Sequence, residues 1–385
     1  MTKPAPADGS LAPRRVPTRR PRVLHVLGGA GIGGMERQLL ALLPHLAADT
    51  ESTLILVRGG PLAGAFADTV PTRTIAKHGK VDPVCLARLV AAMRRRRPDI
   101  VHTWGSTANL WGGLAARIAG VAHLVVSDVS VDAWKGRTLR ELDARIYRSA
   151  DLVTGNSDAV VAGSVGRGAD PARTAVVPNG VRTPDTVAVR ADREPALGLF
   201  VGRLHPDNGP DLLVEAVPAV IDRVPAFHLI MAGPAEQPAE RDLAAGIERR
   251  IAALGLTDRI DLMGPVSDPT PLLQRASLLV LPSRTEGSPN VVAEALAGAT
   301  PVVATAVGGV PDLLEGGRLG RLVAPLDPAA LADAIVGCIN DAGGSDRMAA
   351  LGRARVAAQL SLDVVASQWV GLYARCLDRA AADGR

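Results

Sequence analysis

LVLPSRTEGSPNVVAEALAGATPVVAT, residues 279–305, reads as strand, loop, helix and strand. The apolar run ahead of Pro282 has the length and flanks of a buried strand. Ser288-Pro289 has the grammar of a helix entry, with Ser288 as N-cap and Pro289 at the first helical position. PVVAT then returns to a buried strand. Strand, short loop, helix and strand in close succession are the repeating unit of a parallel, doubly wound α/β sheet.

The alternation continues outward. In the same half, ALGLFVGRL (196–204), FHLIMAG (227–233) and RIDLMG (259–264) are strand-like, with helical runs over 210–222, 238–254 and 289–298. In the first half, VLHVL (23–27), STLILV (52–57), DIVHTW (99–104), HLVVSDV (123–129) and DLVTGN (151–156) alternate with helical runs near 34–47, 84–97, 108–119 and 137–149. The stretch 183–196 is rich in Pro and charge and has no period, so it reads as a linker. The expected fold is α/β, with two Rossmann-like doubly wound parallel-sheet domains, 22–182 and 197–360, facing across a cleft. Ligands of such sheets bind at the carboxyl ends of the strands. The helix over 361–385, carrying Trp369 and Tyr373, is expected to pack back across to the first domain.

Composition bounds the class. A chain of 385 residues is too long for one ordinary core, and 47% apolar residues suffice for two. The formal charge is a mild +4, and no nucleic-acid partner is expected from it. Five of the arginines, Arg14, Arg15, Arg19, Arg20 and Arg22, crowd into the start among prolines. Residues 1–21 therefore read as a disordered basic arm, without the apolar run of a signal peptide. Three scattered cysteines suit a reducing cytoplasm and offer no metal motif. No stretch is long and apolar enough to span a bilayer. RRRR (94–97) at a helix end reads as a solvated face complementing the helix dipole, with weak peripheral contact to an anionic membrane as the other reading.

The loop at 282–290 carries the chemistry. Backbone N–H groups of Asn290, Val291 and Val292 open a helix, lack helical acceptors and point outward with the positive end of its dipole. Such a site suits a diphosphate. Glu286 just before it and Glu294 inside the helix would accept hydrogen bonds from sugar and ribose hydroxyls. Glu240 and Glu248 have the same separation without that context and read as solvated faces of one helix. Arg203, at the end of the strand FVGRL, is placed to neutralise a leaving diphosphate. Near the start, Gly29, Gly31 and Gly34 of LHVLGGAGIGGMERQ (24–38) have G-x-G-x-x-G spacing between a strand and a helix.

These pieces resemble the family-4 (group 1) glycosyltransferases of GT-B fold. GGAGIGGMERQ, DIVHTW…ANLWGGLAARIAG, VVPNGV, FVGRL, FHLIMAG and TEGSPNVVAEALAGATPVVATAVGG occur in the family's order over about residues 22–380. The resemblance implies a retaining enzyme that takes a nucleoside-diphosphate sugar and moves the sugar to a sugar or lipid-linked acceptor, in polysaccharide or glycan biosynthesis. It implies that Glu286 contacts the donor sugar near the reacting carbon and that Glu294 binds the ribose. Arg203 and the amides of Asn290 and Val291 would bind the diphosphate, with Ser288 at the loop and Gly33 and Gly34 alongside in the cleft. No cofactor or metal is expected, and no Asp-x-Asp pair occurs in the chain.

Two positions depart from the family pattern. Asn208 stands where the family usually has a Lys, removing one positive charge from the leaving-group site, and His205 is the nearest candidate to replace it. His102-Thr103-Trp104 stands where many members carry His-x-His. His102 is a candidate catalytic residue at the cleft edge, and a buried, hydrogen-bonded strand histidine is the equal alternative. Trp104, Trp111 and Trp134 read as sugar-stacking or core residues. These departures keep open a non-catalytic nucleotide-sugar binder. The glycine spacing keeps open an NAD(P)-linked oxidoreductase, although STLILVRGG ends its strand in Arg58 rather than an acid.

Overall fold

A computed structural model describes residues 19–129, 137–184 and 186–382. Its first sheet contains β1 (Arg22–Leu27), β2 (Glu51–Leu56), β3 (Thr72–Thr74), β4 (Ile100–Trp104), β5 (His123–Asp128), β6 (Leu152–Gly155) and β7 (Thr174–Val176). The second contains β8 (Leu197–Val201), β9 (His228–Ala232), β10 (Ile260–Gly264), β11 (Leu278–Leu281), β12 (Val302–Thr305) and β13 (Arg321–Val323). The orders are β3-β2-β1-β4-β5-β6-β7 and β10-β9-β8-β11-β12-β13, and the strand pairs are parallel. Both sheets reverse direction beside their first strand, between β1 and β4 and between β8 and β11. A crevice opens at the carboxyl ends of such switch points.

Each sheet is buried on both faces, which is why its central strands are mostly apolar, with His25, His102 and Thr103 as buried polar exceptions in the first sheet. One face of the first sheet packs on the helices Pro83–Arg96 and Ser106–Ala119. The helix Ser106–Ala119 lies close because Gly112 carries no side chain; a Cβ there would meet Val26 Cγ1 at 3.1 Å. The other face packs on the helix Gly34–Leu46 and on the C-terminal helix Leu362–Ala382, which brings Val365, Trp369 and Tyr373. The chain crosses between domains twice, side by side, where Val181 forms a parallel bridge with Ser361.

The edge strands β3, β7 and β13 have three residues each and left no periodic trace in the sequence. The linker is tied down by Arg193, 7% exposed, which donates to the carbonyls of Ala276 (2.8 Å) and Ala299 (3.0 Å), among others. Of the basic arm, residues 19–21 are described: Arg19 forks onto Asp99 at 2.7 and 2.8 Å. The rest of the arm and Trp134 lie outside the described residues. Among the described residues no helix is long and apolar enough to cross a membrane.

Candidate active site

The loop after β11 is held from beneath by small residues. Ser283, fully buried, donates from Oγ to Glu286 Oε1 at 2.7 Å. Gly309 N donates to Gly287 O at 2.8 Å. Gly308 has φ +54°, and a Cβ on it would collide with the Glu286 carbonyl. A Cβ on Gly287 would collide with the Val129 carbonyl of the first domain. The Gly-Gly after β12 thus lets two loops pack backbone to backbone and fixes where the Glu286 carboxylate sits.

Burial pushes the Glu286 carboxyl above the usual glutamate range. The Ser283 hydroxyl and Arg203 pull the other way, and Asp207 adds to the rise. Glu294, in the helix Asn290–Ala297, is raised by burial too, against the pull of Arg37 from the first domain. Two carboxylates are therefore kept short of water at one helix entrance, where hydroxyl donors from a ligand would relieve them.

The helix entry differs from the sequence expectation in two details. Pro289, not Ser288, is the N-cap, and no side chain caps the helix. Ser288 contributes its carbonyl, which accepts from Asn179 Nδ2 at 3.1 Å. The extended ψ of Pro289, 119°, sets its own carbonyl as the first acceptor, and Val292 N donates to it at 3.2 Å. Val292 therefore has no free amide. Those of Asn290 and Val291 find no backbone acceptor among the described residues, so two amides rather than three are left for a ligand.

The opposite wall is the entry of the helix Gly34–Leu46. Gly33 is its N-cap, and a Cβ there would collide with the Glu36 carboxylate, which folds back over the helix end. Asn290 Nδ2 donates to Gly34 O at 2.9 Å, while its Oδ1 accepts from Asn179 Nδ2 at 2.6 Å. Arg37 donates to Ser267 O (2.8 Å) and Val266 O (3.2 Å) of the second domain. Two helix N-termini, 33–34 and 289–290, thus meet across the cleft, each with a positive dipole end. Asn179 of VVPNGV and Arg37 are domain-bridging residues that sequence reasoning did not single out.

Arg203 leaves the end of β8 through Gly202 and donates from Nη1 to Glu240 Oε1 at 2.8 Å. Glu240 is not a solvated residue: it is 1% exposed. Its Oε2 accepts the amides of Glu236 (2.8 Å) and Gln237 (3.0 Å) at the start of the helix Pro238–Ala253. Burial alone would raise its pKa; those amides and Arg203 outweigh burial and hold it below the usual range. The signal was a capping box, Gln237 with Glu240 three residues on.

Comparison with known proteins identifies the family and the fold. Residues 32–184 match the model for Glycosyltransferase Family 4, and residues 196–341 that for Glycosyl transferases group 1. A D-inositol 3-phosphate glycosyltransferase of Streptomyces scabiei is 30% identical over 357 residues, covering 80% of this chain and 79% of that one. The chain belongs to the group 1, family 4 glycosyltransferases. Anabaena HepE, crystallised in complex with UDP, superposes with a TM-score of 0.82 at 21% identity, over 91% of this chain and 99% of that one. Sucrose-phosphate synthase of Thermosynechococcus elongatus gives 0.77 at 22%, over 94% and 100%. Both place the fold in the GT-B class.

The departures of this glycosyltransferase from the family pattern now have locations. Asn208 turns inward, its Nδ2 donating to Arg203 O at 2.9 Å, so it braces the strand end instead of presenting a charge. His205 accepts from Asp207 N at 3.1 Å and caps the short turn Pro206–Asn208. His102 is absent from the cleft. It is fully buried, with Nδ1 2.8 Å from Tyr373 Oη and Nε2 2.7 Å from Ser127 Oγ. Its ring stacks on Trp104 at 4.0 Å and lies 4.6 Å from Trp369. Strand alternation does place residues 102 and 104 on one face, but the C-terminal helix covers that face. Burial, with His25 nearby, drives the His102 pKa well below the usual histidine value. Trp104 is core as well, donating from Nε1 to His25 Nδ1 at 3.2 Å.

Proposed function

We propose that this glycosyltransferase moves a sugar from a nucleoside-diphosphate sugar to an acceptor hydroxyl with retention at the anomeric carbon and without a metal ion. The observation that carries the reading is the meeting of two helix N-termini through Asn290 Nδ2 and Gly34 O, 2.9 Å apart, next to the loop that carries Glu286, with Arg203 at the adjacent strand end. The donor diphosphate lies against the amides of Asn290 and Val291 and the Arg203 guanidinium, which take up charge as the phosphate leaves. Glu294 accepts from ribose hydroxyls. Glu286 holds a sugar hydroxyl and, while ionised, stabilises the cationic character of the reacting carbon. Gly33 and Gly34 let the opposite backbone approach the diphosphate.

The bond from the anomeric carbon to the phosphate oxygen breaks. A bond to the acceptor oxygen forms on the same face, and the acceptor proton passes to the leaving phosphate. HepE, crystallised in complex with UDP-glucose, makes a uridine donor the first to try. The test is incubation with UDP- and GDP-sugars plus simple polyol and sugar acceptors, with and without EDTA. Product with the donor's anomeric configuration, unaffected by EDTA, supports the reading. Inverted product, or loss of turnover in EDTA restored by a divalent ion, overturns that part of it.

A further inference from the structure

We propose that the outer face of the helices Pro83–Arg96 and Ser106–Ala119 docks onto an anionic phospholipid surface. Neither helix contains an Asp or Glu. The first carries Arg88, Arg94, Arg95 and Arg96, with Arg97 at the left-handed C-cap and Lys77 and Lys80 in the loop before. The acids nearest in sequence are already engaged. Asp82 caps the first helix through Cys85 N at 2.9 Å. Asp99 is held by Arg19 and Arg22, and Asp151 by Arg117.

Charge alone would be satisfied by water and by the helix dipole. The apolar component is not. Of the eleven large apolar side chains exposed among the described residues, four lie here: Val81 (79%), Val84 (58%), Leu114 (38%) and Ile118 (47%). Ile118 lines an open groove of about 580 Å³ whose floor is Leu86, Val90 and Ala91 and whose end is Arg94 and Arg95. Those positions recur at three- and four-residue spacing, so the groove is one stripe of the helix Pro83–Arg96. Arg94 Nη2 donates to Ile118 O at 3.0 Å and locks the two helix ends together. An acid-free apolar stripe bordered by arginines matches a bilayer interface, with aliphatic groups entering the acyl boundary and guanidinium groups on phosphates.

The helix Pro83–Arg96 follows β3 and runs back along the sheet, so Val81 and Val84 sit at its cleft end. On the reading of the cleft given above, docking this face brings a lipid-linked acceptor to the first domain's wall. The docking itself does not depend on that reading, and its test reads lipid binding rather than transfer.

The test is co-sedimentation of the full chain with phosphatidylcholine vesicles, with and without phosphatidylglycerol, at low and high salt. Binding is expected to the anionic vesicles and to weaken as salt screens it. The variant Arg88→Gln/Arg95→Gln/Arg96→Gln should lose about 100-fold in vesicle affinity. Val84→Gln/Ile118→Gln, which leaves every charge in place, should lose about 10-fold or more. Both should keep the parent's thermal midpoint, since all five side chains lie at the surface. No binding to anionic vesicles overturns the proposal. So does binding that both variants retain, which would assign it to the arginines at 14–22 instead. Loss in the arginine variant alone also overturns it, because a polyanion site without an apolar component behaves that way.

Discussion

Arg203 and Glu240 form an ion pair, Nη1 to Oε1 at 2.8 Å, in which the carboxylate is 1% exposed and the guanidinium is half open to the cleft. Glu240 is therefore spent on placement: two amides and one guanidinium fix it, and it fixes Arg203 in turn.

Arg203→Ala should reduce kcat/KM by about 100-fold or more, as loss of one charge-stabilising donor does. Glu240→Gln should leave most of the helix cap, reduce kcat/KM by about 10-fold, and add little on top of Arg203→Ala. Steady-state kinetics on both single variants and the double variant check this. Full additivity would mean that Glu240 does not act through Arg203.

Glu286→Gln should cut transfer by roughly 100- to 1,000-fold, the range for removing one preorganised electrostatic group. It should also raise the thermal midpoint at pH 7. Burial raises the folded-state pKa of Glu286 above its unfolded value. Its stability contribution is therefore complete below the unfolded pKa and is lost as pH rises through the folded one. An amide escapes that loss. Activity and melting curves from pH 5 to 8 on both proteins read the two effects together.

Asn290→Ala removes the bond to Gly34 O and the acceptor for Asn179. At about 1 kcal/mol for each net hydrogen bond, nucleotide affinity should fall by about 10-fold or more if domain approach is coupled to binding. Calorimetry with UDP measures the fall, and small-angle scattering should show a more open average shape.

His102→Leu should destabilise the protein by about 2–4 kcal/mol, because Tyr373 Oη and Ser127 Oγ lose a buried partner, while kcat per folded molecule stays near the parent's. A kcat loss of 100-fold in well-folded protein would return His102 to the mechanism. His25, pushed by burial down to about 3, and His102, driven well below the usual histidine value by burial and by His25, are both neutral in the fold. Their contribution is complete above pH 6.5 and is lost as pH falls below it, at about 1.4 kcal/mol per pH unit for each histidine. Urea midpoints at pH 7, 6 and 5 should drop accordingly.

Much of the molecule could be read without coordinates. Periodicity and short loops dictate the two parallel sheets, because a strand buried on both faces must be an apolar run and a crossover helix must follow it. TEGSPNVVAEA could be read as a helix entry with a glutamate on either side of Ser-Pro, and the structure places that entry at 289–290, facing the first domain. Tertiary structure alone decided which side of a strand meets solvent. His102 and Trp104 share a face by alternation, and only the return of Trp369 and Tyr373, some 270 residues later, makes that face core. Likewise Glu240 and Glu286 are both glutamates in polar text. One is buried against a guanidinium and two amides, the other against the Ser283 hydroxyl beside the cleft, and that difference lies in which loop packs over each, a relation between residues distant in the chain.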